Sequence, residues 1–181
     1  MRATFDKIIV KVDPAQKSSI DMGGQQFLLA KQYNHNRREQ HPVLCEVIQG
    51  NSRVNPGKFL LVHHNRFAEN SPHEIGDGLY SIPYNSGIFA SLDDNGDAHS
   101  LCGNIIAKRV QKVEKIEVAA HLRKDYHDRV IVQFDGYGYK KGAEIFTFPF
   151  SDYEIVYVWK GEERRVVKVF KDDICGILFK K

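Results

Sequence analysis

The stretch "VLCEVIQGNSRVNPGKFLLVHH" (43–64) has a later counterpart in "DRVIVQFDGYGYKKGAEIFTFP" (128–149). Each runs from an apolar strand through a glycine-containing turn to Pro56-Gly57 or Lys141-Gly142, then into a second strand. Glycine at that point lets the chain turn sharply before pairing begins. The halves also close alike, "GNIIAKRV" (103–110) answering "DDICGILF" (172–179). Three features in the same order point to duplication of one unit.

The rest of the chain agrees with a β-rich reading. "KIIVKV" (7–12), "EIVYVW" (154–159) and "RRVVKVF" (164–170) are short and rich in β-branched and aromatic residues, as strands require. "DDNGD" (93–97) and "KGEE" (160–163) predict hairpin turns. The best helical candidate, "QKVEKIEVAAHLRK" (111–124), carries mixed signals, because "IEVAAHL" also reads as the first strand of a second unit. The expected class is all-β.

Composition excludes several alternatives. Hydrophobic residues at 42% and charged residues at 27% allow a buried core in a chain of 181 residues, enough for one large or two small domains. A net charge of +3 is no basic stripe, so no nucleic-acid partner is expected. Cys45, Cys102 and Cys175 are an odd number at wide spacing, which argues for free thiols and a reducing cytoplasm. No apolar run is long enough for a signal peptide or membrane span, so no membrane partner is expected.

Between Pro14 and His41 the only strand-like feature is the apolar triplet Phe27-Leu28-Leu29, preceded by Gly23-Gly24 and set in polar sequence. Ordered connections rarely exceed ~12–15 residues, so a segment of about twice that length calls for a function.

Taken in order, these features resemble the GroES-type co-chaperonins, the lids of chaperonin cages. The likeness is carried by "DKIIVKVD" (6–13), the long loop with its triplet, Val43 or Leu44 through Val47 to Gly50-Asn51, the Pro-Gly or Lys-Gly turns, and the closing Asp173-Ile174-Cys175-Gly176-Ile177. The resemblance implies two tandem GroES-like small β-barrels, 1–110 and 111–181. The first would carry the mobile loop 14–41 and a roof hairpin within 64–100. It implies a non-enzymatic lid that assists protein folding, forms a homo-oligomeric ring and docks on a chaperonin through Gly23, Gly24, Phe27, Leu28 and Leu29. No cofactor or metal is implied. The other reading is a duplicated β-barrel binding or structural module without chaperonin activity.

Other residues read more plainly. His63, His64, His73, Cys45 and Cys102 match no closed zinc pattern, and adjacent histidines on a strand point to opposite faces. Medium-chain alcohol dehydrogenases share the barrel type, but their zinc and nucleotide motifs are missing here. "DDNGD" is too short for an EF-hand loop. "FDGYGYKKG" (134–142) reads as barrel-end packing rather than a base-stacking platform. No catalytic set has a local signature.

Overall fold

The structure is a computed structural model describing residues 6–12, 19–22, 25–28, 33–34, 39–67, 72–85, 87–110, 128–133, 135–147 and 152–178. The expected helix or strand over 111–124 lies outside them, as do Gly23, Gly24 and Leu29.

The chain begins with β1 (Lys7–Val12), whose alternation buries Ile8, Val10 and Val12 on one face. β2 (Ser19–Met22) and β3 (Gln25–Leu28) pair antiparallel as a two-stranded sheet of their own, Ile20 opposite Phe27. β4 (Tyr33–Asn34) and β5 (Glu39–Gln40) follow. β6 (Val43–Gln49) and β7 (Phe59–Val62) form the first long hairpin. Then come β8 (Glu74–Gly76), β9 (Leu79–Pro83), β10 (Ile88–Leu92) and β11 (Ala98–Ser100). β12 (Asn104–Arg109), β13 (Asp128–Val132), β14 (Glu144–Thr147), β15 (Asp152–Trp159), β16 (Glu162–Phe170) and β17 (Ile174–Leu178) complete the order.

A seven-stranded sheet runs β11-β10-β7-β6-β1-β9-β8, and an eight-stranded sheet runs β17-β14-β13-β12-β16-β15-β5-β4. A barrel needs its first and last strands to pair. Here β11 does not meet β8, and β17 does not meet β4. The expectation of two GroES-like barrels is therefore wrong, and the family resemblance falls with it. So does the chaperonin-lid function drawn from that resemblance. Strand-plus-glycine motifs are met by any antiparallel unit of this kind, and they carry no information about closure.

Set side by side, the two sheets share one strand order. β10-β7-β6-β1-β9-β8 corresponds to β17-β14-β13-β12-β16-β15, with matching positions in chain order. Val47 donates to Lys58 O and accepts from Gly57 N, as Val132 donates to Ala143 O and accepts from Gly142 N. The same bulge recurs: Leu61 faces Ala90 while Val62 faces Ile88, and Phe146 faces Gly176 while Thr147 faces Ile174. Turn and bulge coincide because each re-aims the strand that follows. The counterpart of Ile105 is Ile8, and that of Ile174 is Ile88. The sequence match between "GNIIAKRV" and "DDICGILF" therefore pairs unrelated strands. The second unit starts at β12, inside the stretch 1–110 assigned to the first.

Three apolar clusters hold the layers. One lies within the first unit (Ile8, Val10, Val47, Leu60, Tyr80, Ile82 among others) and one within the second (Ile105, Ala107, Val130, Ile145, Val167, Val169). The third joins the two sheets, with Leu61, Phe89, Ala90 and Leu92 against Ile106, Ile155, Tyr157 and Trp159. Period-2 alternation explains the division, since Ile106 points opposite to Ile105 and Ala107.

Gly57 and Gly142 sit at φ +77° and +83°, where an added Cβ would meet no atom within 4 Å. Only backbone strain opposes substitution, so Gly57→Ala and Gly142→Ala should each cost about 1–2 kcal/mol. Urea denaturation checks this, and the two costs should agree if the turns are copies.

Candidate functional site

Of the residues singled out for partner docking, the structure describes Phe27 and Leu28. Phe27 and Leu28 belong to β3, which pairs antiparallel with β2, and Gly23 and Gly24 lie outside the described residues. The apolar triplet thus begins as a strand paired with Ser19–Met22, and Leu29 lies outside the described residues.

The two units are clasped at the tips of two hairpins. Asp93 caps its own turn, its Oδ1 accepting from Asn95 N and Asp97 N, both at 2.9 Å. His99 Nε2 lies 3.0 Å from Asp93 Oδ2, and this bond leads in holding the carboxyl below its usual range. The turn presents Gly96, at φ +80°, to the indole of Trp159 at the end of β15. Tyr157 donates its hydroxyl to Gly96 O at 2.9 Å, and Trp159 meets Phe59 edge-on at 5.1 Å. Arg164 reaches Asp97 at 3.1 Å, and Lys58 reaches Asp94 at 3.3 Å. A groove of about 340 Å³ runs along this contact, lined by Asp94, Asn95, Trp159, Lys160, Glu162 and Arg164. Two of its charges, Asp94 and Arg164, are engaged in these ion pairs, which suits a clasp. "DDNGD" is the hairpin tip that sequence predicts.

A second cluster lies on the seam. Lys168 is 3% exposed, on the face of β16 opposite Val167 and Val169. Its ammonium sits 4.3 Å from the Phe89 ring centre, 4.5 Å from that of Phe170 and 5.1 Å from that of Tyr153. Burial pushes its pKa down to about 8, against the opposing pull of Asp173. His63 meets Phe89 edge-on and stacks on His64 at 4.3 Å. Burial, then the charges of His64, Lys168 and Arg66, bring His63 down to about 4. The histidines do not point to opposite faces, because β7 ends at Val62 and His64 opens a 3-10 turn (His64–Phe67). Sequence reasoning missed Lys168, since a lysine in a strand reads as solvent-facing.

The remaining candidates are structural. Tyr137 accepts from Gly103 N at 2.6 Å through its hydroxyl, tying "FDGYGYKKG" to the turn before β12. Cys102 donates to Tyr84 O at 2.8 Å, and burial pushes its thiol up to about 11. Cys45 is buried and raised well above the usual thiol value for the same reason. Thiols so raised are poor nucleophiles. Among the described residues no group of three or more His, Cys, Asp or Glu is placed to hold a metal ion, and no helix is long and apolar enough to cross a membrane.

What differs between the copies is their sheet edges. In the first unit the outer edge of β10 is covered by antiparallel β11, Ala90 facing Ser100 and Ser91 facing His99. The corresponding residues of β17 are Gly176 and Ile177, and among the described residues no strand pairs with that edge. Ile177 is 40% exposed, and Cys175 is exposed. The other ends are blunted: β8 has three residues and a register shift between Glu74 and Gly76, β4 has two residues, and β11 has three. Short, bulged strands are the usual protection of an edge. β17 presents five residues, "ICGIL", with neither charge nor proline.

Comparison with protein-family models, curated proteins and solved structures finds no match to this chain.

Proposed function

We propose that the protein is a non-catalytic association module, two copies of one β unit clasped together, which binds another polypeptide by strand addition at β17. One observation carries this reading: the edge that β11 covers in the first unit is left uncovered in the second, among the described residues. Main-chain bonds would supply affinity, and Ile177 would supply side-chain contact. The three free cysteines suit a reducing cytoplasm.

The segment that covers β10 supplies the probe. A synthetic peptide spanning 95–103, added in excess, should slow hydrogen exchange at the outward amides of β17. Other edges should be unaffected. Unchanged exchange at β17 with millimolar peptide would remove the reading.

A further inference from the structure

We propose that the polypeptide received at β17 carries an aliphatic residue opposite Ile177 followed by an aromatic one opposite Gly176, so that these two positions decide what is bound. The proposal rests on the strand-addition reading and names the chemistry of its occupant. The first unit supplies the geometry. There β11 runs antiparallel to β10, His99 facing Ser91 and Ser100 facing Ala90. Ser91 faces Leu60 on β7, and Ile177 faces Ile145 on β14. Ile177 therefore holds the place of Ser91, as Gly176 holds that of Ala90.

Both differences change what an incoming strand should offer. Ile145 belongs to the second core, and residues directly opposite in a strand pair share a face. Ile177 thus lies on the core side of β17, yet it is 40% exposed. An aliphatic side chain beside it would carry the core across the edge. In the first unit the same place pairs Ser91 with His99, two polar residues. Gly176 lies on the other face, opposite the half-buried Phe146, and presents no side chain there. The Phe146 ring comes within 3.6 Å of where a Cβ at Gly176 would stand. An aromatic side chain on the incoming strand can therefore lie across the glycine and reach that ring, the arrangement by which aromatic residues compensate edge glycines. From Ile174 to Leu178 the strand holds no charge. A charged residue facing it would lose hydration and gain no opposite charge from β17.

Fluorescence anisotropy with labelled peptides tests it, and hydrogen exchange locates the bound peptide on β17. The probes are the 95–103 peptide and the same peptide with His99→Val and Ser100→Phe, singly and together. The doubly substituted peptide should bind about tenfold tighter, each cross-strand pair contributing a few-fold. Replacing Gly176→Ala and Ile177→Ser in the protein gives the second edge the residues of the first. That variant should bind the unsubstituted peptide as the parent chain does and lose the preference. A second variant, Gly176→Ala alone, guards against misfolding, since the added Cβ makes an ordinary contact at a residue without positive φ. It should lose the gain from Ser100→Phe and keep that from His99→Val. Equal affinity of the parent chain for all the peptides overturns the proposal, and so does a gain from Ser100→Phe that survives Gly176→Ala. In either case protection of β17 by a peptide leaves strand addition standing. If no peptide protects β17, strand addition falls and the proposal with it.

Discussion

Gly96→Ala is expected to lower stability by about 2–5 kcal/mol, because this turn glycine is buried beside the exposed tip residues Asp94 and Asn95. Two costs combine. At φ +80° a Cβ is strained by about 1–2 kcal/mol. That Cβ would also point into the indole of Trp159, and forcing a packed ring aside costs typically about 1–3 kcal/mol more. Displacing the ring disturbs its edge contact with Phe59 and the bond from Tyr157 to Gly96 O, two links that tie the tip across the seam. Urea denaturation of a double-mutant cycle isolates the coupling. With Trp159→Ala already present, Gly96→Ala should cost only its backbone strain. Additive costs would mean that the glycine serves the turn alone and that the clasp does not depend on it.

The sequence reads well where one strand decides the outcome and poorly where two must be compared. "KIIVKV" is β1 residue for residue, and the "KGEE" turn joins β15 to β16 with Lys160 and Gly161 both at positive φ. Both are local: alternation and turn chemistry act within a few residues. The repeat also shows in sequence, because Gly57 and Gly142 mark the same turn. Closure does not, since it depends on whether strands distant in the chain meet. β12 illustrates the difficulty. "GNIIAKRV" looks like a closing strand, yet it opens the second sheet, and both its faces are covered because Ile106 feeds the seam while Ile105 and Ala107 feed the second core. The cage around Lys168 was hidden for a similar reason. Its rings come from β10, β15 and the end of β16, and nothing in "VVKVF" announces that Phe89 will lie over the ammonium.

Replacing Lys168 with Met should raise stability at neutral pH and remove a rise in stability that the parent shows between about pH 8 and 10.5. Two effects oppose each other at this ammonium. Burial disfavours the charge, whereas three rings favour it, at up to about 2 kcal/mol for a desolvated contact. With burial ahead, the folded pKa is about 8 against 10.5 for the free side chain. Below pH 8 both states hold the proton, and the folded state carries the full cost of the buried charge. Between about pH 8 and 10.5 the folded protein releases the proton while the unfolded chain keeps it, so stability rises with pH. The interval corresponds to roughly 3 kcal/mol. Buried thiols and tyrosines titrate in the same range with the opposite sign, so the raw curve of the parent chain is a composite. Their contribution is common to both proteins and cancels in the difference. The parent should therefore gain about 3 kcal/mol relative to Lys168→Met between about pH 7.5 and 10.5, measured by urea denaturation at a series of pH values. Parallel curves would show that the rings of Phe89, Phe170 and Tyr153 balance the cost of burial and leave the lysine charged throughout.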